Sequence, residues 1–235
     1  MNRVLLKLSG EALSGDKGFG FDEETVRGVA MQVKELTDMH MQVAVVIGGG
    51  NFWRGRSSGK MDRTKADQIG MLATVMNSIY AADMFRQTGM KTAVMTPFFC
   101  QGMTKIFSRD EAVALLEEGT VVFFAGGTGH PYFSTDTATV LRAVEIEADA
   151  ILLAKAVDAV YDSDPRENPQ AKRFDTLSIE EVIEKRLKVV DMTASILCME
   201  NKMPMLVFGL NEENSIVRAV RGPFTGTRVT VGEKL

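Results

Sequence analysis

Two cysteines, two histidines, one tryptophan and six prolines are all that this chain of 235 residues contains of those types. Each shortage removes a class of chemistry. Cys100 and Cys198 make neither a disulfide framework nor a zinc site, and they read as small buried hydrophobes, with His40 as a helix-end residue. With so few histidines a Ser-His-Asp hydrolase is not expected. No apolar run approaches the roughly 18 residues of a membrane helix. Met1–Lys7 also lacks the apolar stretch and small-residue cleavage site of a signal peptide, so a cytoplasmic protein without membrane contact is expected. The formal charge is −4, from 27 Lys+Arg against 31 Asp+Glu, which leaves room for a local basic pocket but not for a broad basic face that would hold nucleic acid.

The common nucleotide fingerprints are missing too. Gly10–Lys17 nearly fits a P-loop, but Asp16 stands where the lysine is required. Two glycine clusters fail Gly-x-Gly-x-x-Gly, because Trp53 and Tyr132 occupy its last position, so a dinucleotide fold is disfavoured. There is no Gly-x-Ser-x-Gly elbow and no His-Glu-x-x-His.

What remains is an ordinary globular composition, 45% hydrophobic and 25% charged with 21 glycines, enough for one large or two small domains. Six short apolar runs predict strands: Val4–Leu8, Val43–Ile47, Thr92–Met95, Val121–Phe124, Ile151–Leu153 and Met205–Phe208. Most are apolar at successive positions, as in parallel strands buried on both faces. Helical patterns lie between and after them, over Asp22–Met39, Ala66–Gln87, Asp110–Glu118, Asp136–Ala148, Ser178–Lys185, Met192–Lys202 and Glu212–Val220. Asp22 suits an N-cap. The alternation predicts an α/β fold with a parallel sheet covered by helices. No linker or repeat divides the chain. The Ala66–Gln87 helix has two apolar faces, Ile69/Leu72/Met76/Ile79/Tyr80 and Met71/Val75/Ala82/Phe85. A helix apolar all round is either central in the core or shared with a second subunit, and a chain of this size favours the subunit interface.

In such sheets ligands bind beyond the carboxyl ends of the strands, and there this chain gathers glycines and hydroxyls. Ser9-Gly10-Glu11 follows the first strand and Gly48-Gly49-Gly50 with Arg54 the second. Gly126-Gly127-Thr128-Gly129 leads to Ser134-Thr135-Asp136 after the fourth, and Ala154-Lys155-Ala156-Val157-Asp158 follows the fifth. Glycines that turn with positive φ expose N–H donors to an anion, Arg54 can fork onto phosphate oxygens, and a helix start at Ser134–Asp136 offers free amides and hydroxyls to a phosphate. The plain alternatives are tight turns and simple helix capping. Lys7 interrupts the run Val4–Leu8, so it either reaches a ligand as a point charge or snorkels from an edge strand. Asp158, Tyr161, Asp162 and Asp164 lie in a segment that reads as a plain turn as well as it reads as a site. Two anion-holding loops, two cations and a helix N-terminus suit phosphoryl transfer, which asks the protein to align donor and acceptor and neutralise charge.

Four segments carry a resemblance. Lys7-Leu8-Ser9-Gly10-Glu11-Ala12-Leu13, Val46-Ile47-Gly48-Gly49-Gly50-Asn51, Gly70-Met71-Leu72-Ala73-Thr74-Val75-Met76-Asn77 and Glu145-Ile146-Glu147-Ala148-Asp149 closely resemble the bacterial uridylate (UMP) kinases of the amino acid kinase superfamily. The likeness runs in register from about Arg3 to Gly226-Thr227. It implies a three-layer αβα sandwich around a mostly parallel sheet, formed by one domain over residues 1–235. The N-terminal part would serve mainly UMP and the C-terminal part mainly ATP. It implies the reaction ATP + UMP → ADP + UDP with Mg²⁺ carried by ATP, in pyrimidine nucleotide synthesis, by a cytoplasmic homohexamer.

By position, the resemblance assigns catalysis to Lys7, Arg54 and Asp136. It assigns ATP to Lys7, Leu8, Ser9, Gly10, Gly50, Arg54, Lys155, Tyr161 and Asp164. UMP falls to Gly49, Asp67, Thr128, Gly129, His130, Pro131, Tyr132, Phe133, Ser134 and Thr135. No protein metal site is assigned. Lys17, Gly18, Phe19 and Gly20 match a segment linked to GTP activation, and UTP commonly inhibits this family. Two departures stand out: His130 replaces an asparagine frequent in the family, and Leu153–Ala159 breaks its Lys-Ala-Thr-Lys-Val-Asp-Gly pattern. Rival readings keep the fold but phosphorylate a carboxylate, as acetylglutamate and aspartate kinases do, or bind a nucleotide or oxyanion without turnover.

Overall fold

The computed structural model describes residues 1–53 and 60–232. Along the chain run β1 (Arg3–Leu8), α1 (Gly10–Leu13), α2 (Glu23–Asp38), β2 (Gln42–Ile47), α3 (Arg63–Gln87), β3 (Thr92–Thr96), β4 (Lys105–Ile106) and α4 (Arg109–Glu117). Then follow β5 (Val121–Phe124), α5 (Thr135–Glu145), β6 (Ala150–Lys155), β7 (Val160–Tyr161), β8 (Arg173–Phe174), β9 (Thr176–Ser178) and α6 (Ile179–Glu184). The chain closes with α7 (Met192–Glu200), β10 (Met205–Gly209), α8 (Ser215–Arg221) and β11 (Thr227–Thr230).

Among the described residues nine strands form one sheet in the order β4-β3-β5-β2-β1-β6-β10-β11-β9, and β7 pairs with β8 in a separate hairpin. Every pairing in the large sheet is parallel except β10 with β11. Because successive strand residues point to opposite faces, the uninterrupted apolar runs feed two separate cores. Leu6, Val45, Phe123 and Leu152 pack under α2, α3 and α8, against Val33, Phe85 and Ile216. Leu5, Val46, Val122 and Leu153 pack on the other face against Leu116 of α4, Val140 of α5, Val182 of α6 and Cys198 of α7. Each Leu or Phe so buried contributes about 1.5–3 kcal/mol, and truncating Leu6 or Phe123 to alanine costs about 2–5 kcal/mol. The result is the three-layer αβα sandwich with a mostly parallel sheet.

Helix starts follow capping chemistry. Asp22 accepts the Thr25 amide at 2.9 Å to open α2, as its position suggests. Helix α3 begins three residues before the expected Ala66, because the Asp62 carboxylate caps it through the Lys65 amide. Its face of Val75, Ala82 and Phe85 is buried, whereas Ile69, Leu72 and Met76 are exposed by 36%, 53% and 48%. Tyr80 leaves that exposed stripe by stacking on Phe21, with ring centroids 3.8 Å apart.

Candidate active site

β1 runs between β2 and β6, with Lys7 opposite Val46 and Leu153. The edge-strand alternative for Lys7 therefore fails. On its face of the sheet Lys7 follows Leu5, and Lys155 follows Ile151 and Leu153, so two ammonium groups end one apolar layer where α5 begins. Lys7 Nζ pairs with Asp136 Oδ1 at 2.9 Å, and only 12% of the Lys7 side chain is exposed. Lys155 donates to the carbonyls of Val189 and Lys188. Burial pushes the Lys155 ammonium down to about 8; Asp136 pulls the other way and Lys7 adds to the depression.

The Gly48–Gly50 turn works by close approach. None of its glycines has positive φ, contrary to the expectation of a left-handed anion nest. A Cβ on Gly49 would meet Ala73 Cβ and the Gly70 carbonyl at 2.9 Å, and one on Gly10 would meet the Gly48 carbonyl at 2.5 Å. The glycines thus let β1, the second loop and α3 press together. Gly48 donates to the Leu8 carbonyl at 2.9 Å. Asn77 of α3 donates to the Gly48 carbonyl at 2.6 Å and to Asn51 Oδ1 at 2.7 Å, while Asn51 donates back to Asn77 Oδ1 at 2.9 Å. This buried amide pair fixes the loop on the helix.

Positive φ appears instead in the segment after β5, at Gly126 (78°), Gly127 (62°) and Gly129 (82°). The Gly126 amide donates to Thr74 Oγ1 of α3 at 2.8 Å. Ser134 caps α5 by accepting the Thr137 amide at 3.0 Å. Asp191 ties this start to another: it accepts from Ser134 Oγ and Thr137 Oγ1 while capping α7 through the Ala194 amide at 3.0 Å. Two helix N-termini, with their partial positive charge, therefore meet at one corner.

These parts enclose a cavity of about 550 Å³ beyond the carboxyl ends of β5, β2, β1 and β6. Of the expected site residues, Lys7, Ser9, Gly10, Gly49, Gly50, Asp67, Thr128, Phe133, Ser134, Thr135, Asp136 and Lys155 line it. A second cavity of about 590 Å³ is lined by Tyr161 and Asp164 and shares Lys7, Ser9, Glu11, Lys155, Lys188 and Val189 with the first. Both volumes are of the size that holds small ligands. Beside the second cavity Tyr161 donates to Asp158 at 3.0 Å. The Arg166 side chain and amide hold the Asp164 carboxyl down at about 2.

The remaining expected residues sit elsewhere. Leu8 has its side chain fully buried in the core under α2 and α3, and its carbonyl accepts from the Gly48 amide. Gly129, His130, Pro131 and Tyr132 belong to the loop after β5 but do not line either cavity; His130 closes a turn through its amide on Thr128 Oγ1 at 3.2 Å. Lys17, Gly18, Phe19 and Gly20 also lie outside both cavities, yet Gly20 exchanges hydrogen bonds with Asn51, its carbonyl accepting from Nδ2 at 2.8 Å. Arg54 falls outside the described residues. Sequence reasoning missed Asp191, Lys188 and Arg63, all of which line the first cavity. Asp191 carried one readable signal, an aspartate just before an apolar helical run.

A parallel αβα sheet with two lysines and two helix N-termini over adjoining cavities suits the binding of phosphate groups. Residues 2–209 match the amino acid kinase family, and the chain belongs to it. It is similar to the UMP kinase of Bacillus anthracis, with 35% identity over 100% of this chain and 98% of that one and a TM-score of 0.94. The UMP kinase of Ureaplasma parvum is 33% identical over 97% of this chain and 98% of its own, with a TM-score of 0.92. The uridylate kinase of Archaeoglobus fulgidus is more distant, at 27% identity and a TM-score of 0.75, over 97% of this chain and 99% of that one.

Proposed function

We propose that this chain is a uridylate kinase, transferring the γ-phosphoryl group of ATP to UMP to give ADP and UDP, as a step of pyrimidine nucleotide synthesis in the cytoplasm. The observation that carries the reading is the junction of the two cavities at Lys7 and Lys155. A nucleoside monophosphate in the first and a triphosphate in the second would direct their phosphates at each other across that junction. The near full-length likeness to two bacterial UMP kinases supports UMP as the acceptor.

In this mechanism Lys7 and Lys155 offset the charge on the transferring group's equatorial oxygens. Asp136 holds the Lys7 ammonium in place, and Asp191 braces the α5 start, whose Ser134 and Thr135 face the acceptor phosphate. The attacking UMP oxygen is largely ionised at neutral pH, since the second phosphate pKa is about 6, so no general base is required. Magnesium takes one or two carboxylates and fills its remaining positions with phosphate and water; Asp136 beside Lys7 fits that donor set. Bound with ATP, the ion supplies further charge neutralisation at the phosphates. Self-association, a hexamer by the family likeness, is supported by the exposed stripe of α3. A GTP or UTP response belongs to the same reading.

The test is an acceptor screen of the purified chain with ATP, Mg²⁺ and, in turn, UMP, CMP, dUMP, aspartate and acetylglutamate, with and without GTP and UTP. UDP formation with UMP the preferred acceptor is expected. Preference for a carboxylate acceptor, or nucleotide binding without UDP formation, would overturn the reading.

A further inference from the structure

We infer that Arg63 is a positioning residue of the acceptor cavity, a latch that holds the 126–134 loop against the first turn of α3 in the form that binds the acceptor nucleotide. This rests on the uridylate kinase reading. Arg63 Nε donates to Asp67 Oδ2 at 2.8 Å, and the backbone amide of Tyr132 donates to the same oxygen, also at 2.8 Å. The guanidinium lies over the Tyr132 ring, 5.3 Å from its centroid. Arg63 and Asp67 both line the acceptor cavity, and the Asp67 side chain is only 15% exposed.

An i,i+4 ion pair on a helix surface would explain Arg63 with Asp67 alone. It does not explain why the loop's amide converges on the same carboxylate oxygen while its ring lies under the same guanidinium. Tyr132 adds a further reason. Its φ of 73° is a left-handed conformation that a tyrosine rarely adopts and that persists only where surrounding contacts over-determine it. Arg63 and Asp67 supply those contacts, one on the ring and one on the amide. With the latch gone, Tyr132 can relax, and the loop bearing Thr128, Phe133 and Ser134 loses its placement over the acceptor.

The test is steady-state kinetics of the wild-type chain, Arg63→Lys and Arg63→Ala, varying UMP and ATP separately, with Tm recorded for each protein. Arg63→Ala is expected to raise KM for UMP about tenfold, equivalent to about 1.4 kcal/mol, while KM for ATP moves by less than about twofold. Arg63→Lys keeps a point charge but loses the planar fork and the stack, so it should fall between wild type and Arg63→Ala. If the wild type forms UDP and Arg63→Ala leaves KM for UMP unchanged, the inference is wrong and the uridylate kinase reading stands. It is equally wrong if the UMP and ATP parameters deteriorate together with a fall in Tm, which would make Arg63 merely structural. A wild-type chain that forms no UDP would remove the reading and the latch with it.

Discussion

Lys7 and Lys155 reach the same junction, but the fold treats their charges differently. Lys7 has Asp136 at 2.9 Å, whereas Lys155 depends on backbone carbonyls and its ammonium is pushed down to about 8 by burial. Lys155 should therefore lose its charge as pH rises through about 8, and kcat/KM for ATP, which reports the free protein, should fall on the alkaline side with that apparent pKa. Lys155→Arg, which stays protonated, should abolish that limb; the same alkaline limb in the variant would refute the assignment. The stability sign is the reverse. Folding lowers this pKa from 10.5 to about 8, so between those values the unfolded chain binds more protons and stability rises with pH. For Lys7→Ala, loss of a preorganised cation should lower kcat by about 10²–10³-fold with near-native circular dichroism. Near-normal turnover would remove Lys7 from the mechanism. Lys7 was legible because a charge inside an apolar run demands a partner. The ring contact of Arg63 with Tyr132 and the bond of Asp191 to Ser134 were not, since these residues lie far apart in sequence and no motif links them, although an i,i+4 pair with Asp67 and a helix cap were readable at each.

At the scale of elements α3 does most to build the site. One face carries Asp67, Gly70 and Thr74 to the first cavity, a buried face joins the core, and Asn77 pins the glycine loop. Asn77→Ala leaves the Gly48 carbonyl and the Asn51 amide without this partner. It should cost about 2 kcal/mol and lower Tm by several degrees. Its neighbour Ser78 is fully buried with its hydroxyl unpartnered among the described residues. Ser78→Ala should consequently leave Tm unchanged or slightly raised, and a fall like that of Asn77→Ala would reveal a hidden partner. The exposed stripe belongs to the same helix. If it is a contact between copies, Leu72→Glu with Met76→Glu should shift the mass measured by light scattering to a smaller species. An unchanged mass would assign the association elsewhere.

The long strands and helices of the sandwich were readable because their apolar runs and helical periods are strong. The short elements α1, β4, β7, β8, β9 and β11 were not, as two to four residues carry no period and their place is set by the sheet they join. The glycines of the 48–50 loop do line the first cavity, but they admit Ala73 and the Gly70 carbonyl instead of turning with positive φ.

For the molecule as a whole, loops from β1, β2, β5 and β6 converge on one edge of the sheet because those strands are adjacent and parallel. That convergence was legible from the order of elements. The division into two cavities meeting at Lys7 and Lys155 was not, because Lys188–Asp191 and the Val160–Glu167 segment reach the site only through the tertiary fold. For transfer between the two nucleotides proposed above, donor and acceptor must occupy both cavities at once with their phosphates facing. The most direct test is binding of a dinucleotide in which adenosine and uridine are joined 5′ to 5′ through five phosphates, followed by calorimetry and by competition against ATP and UMP. Spanning both cavities, it should displace both nucleotides and bind about 10²-fold or more tightly than either alone. Displacement of only one nucleotide, or affinity no better than that of a single nucleotide, would contradict the shared junction.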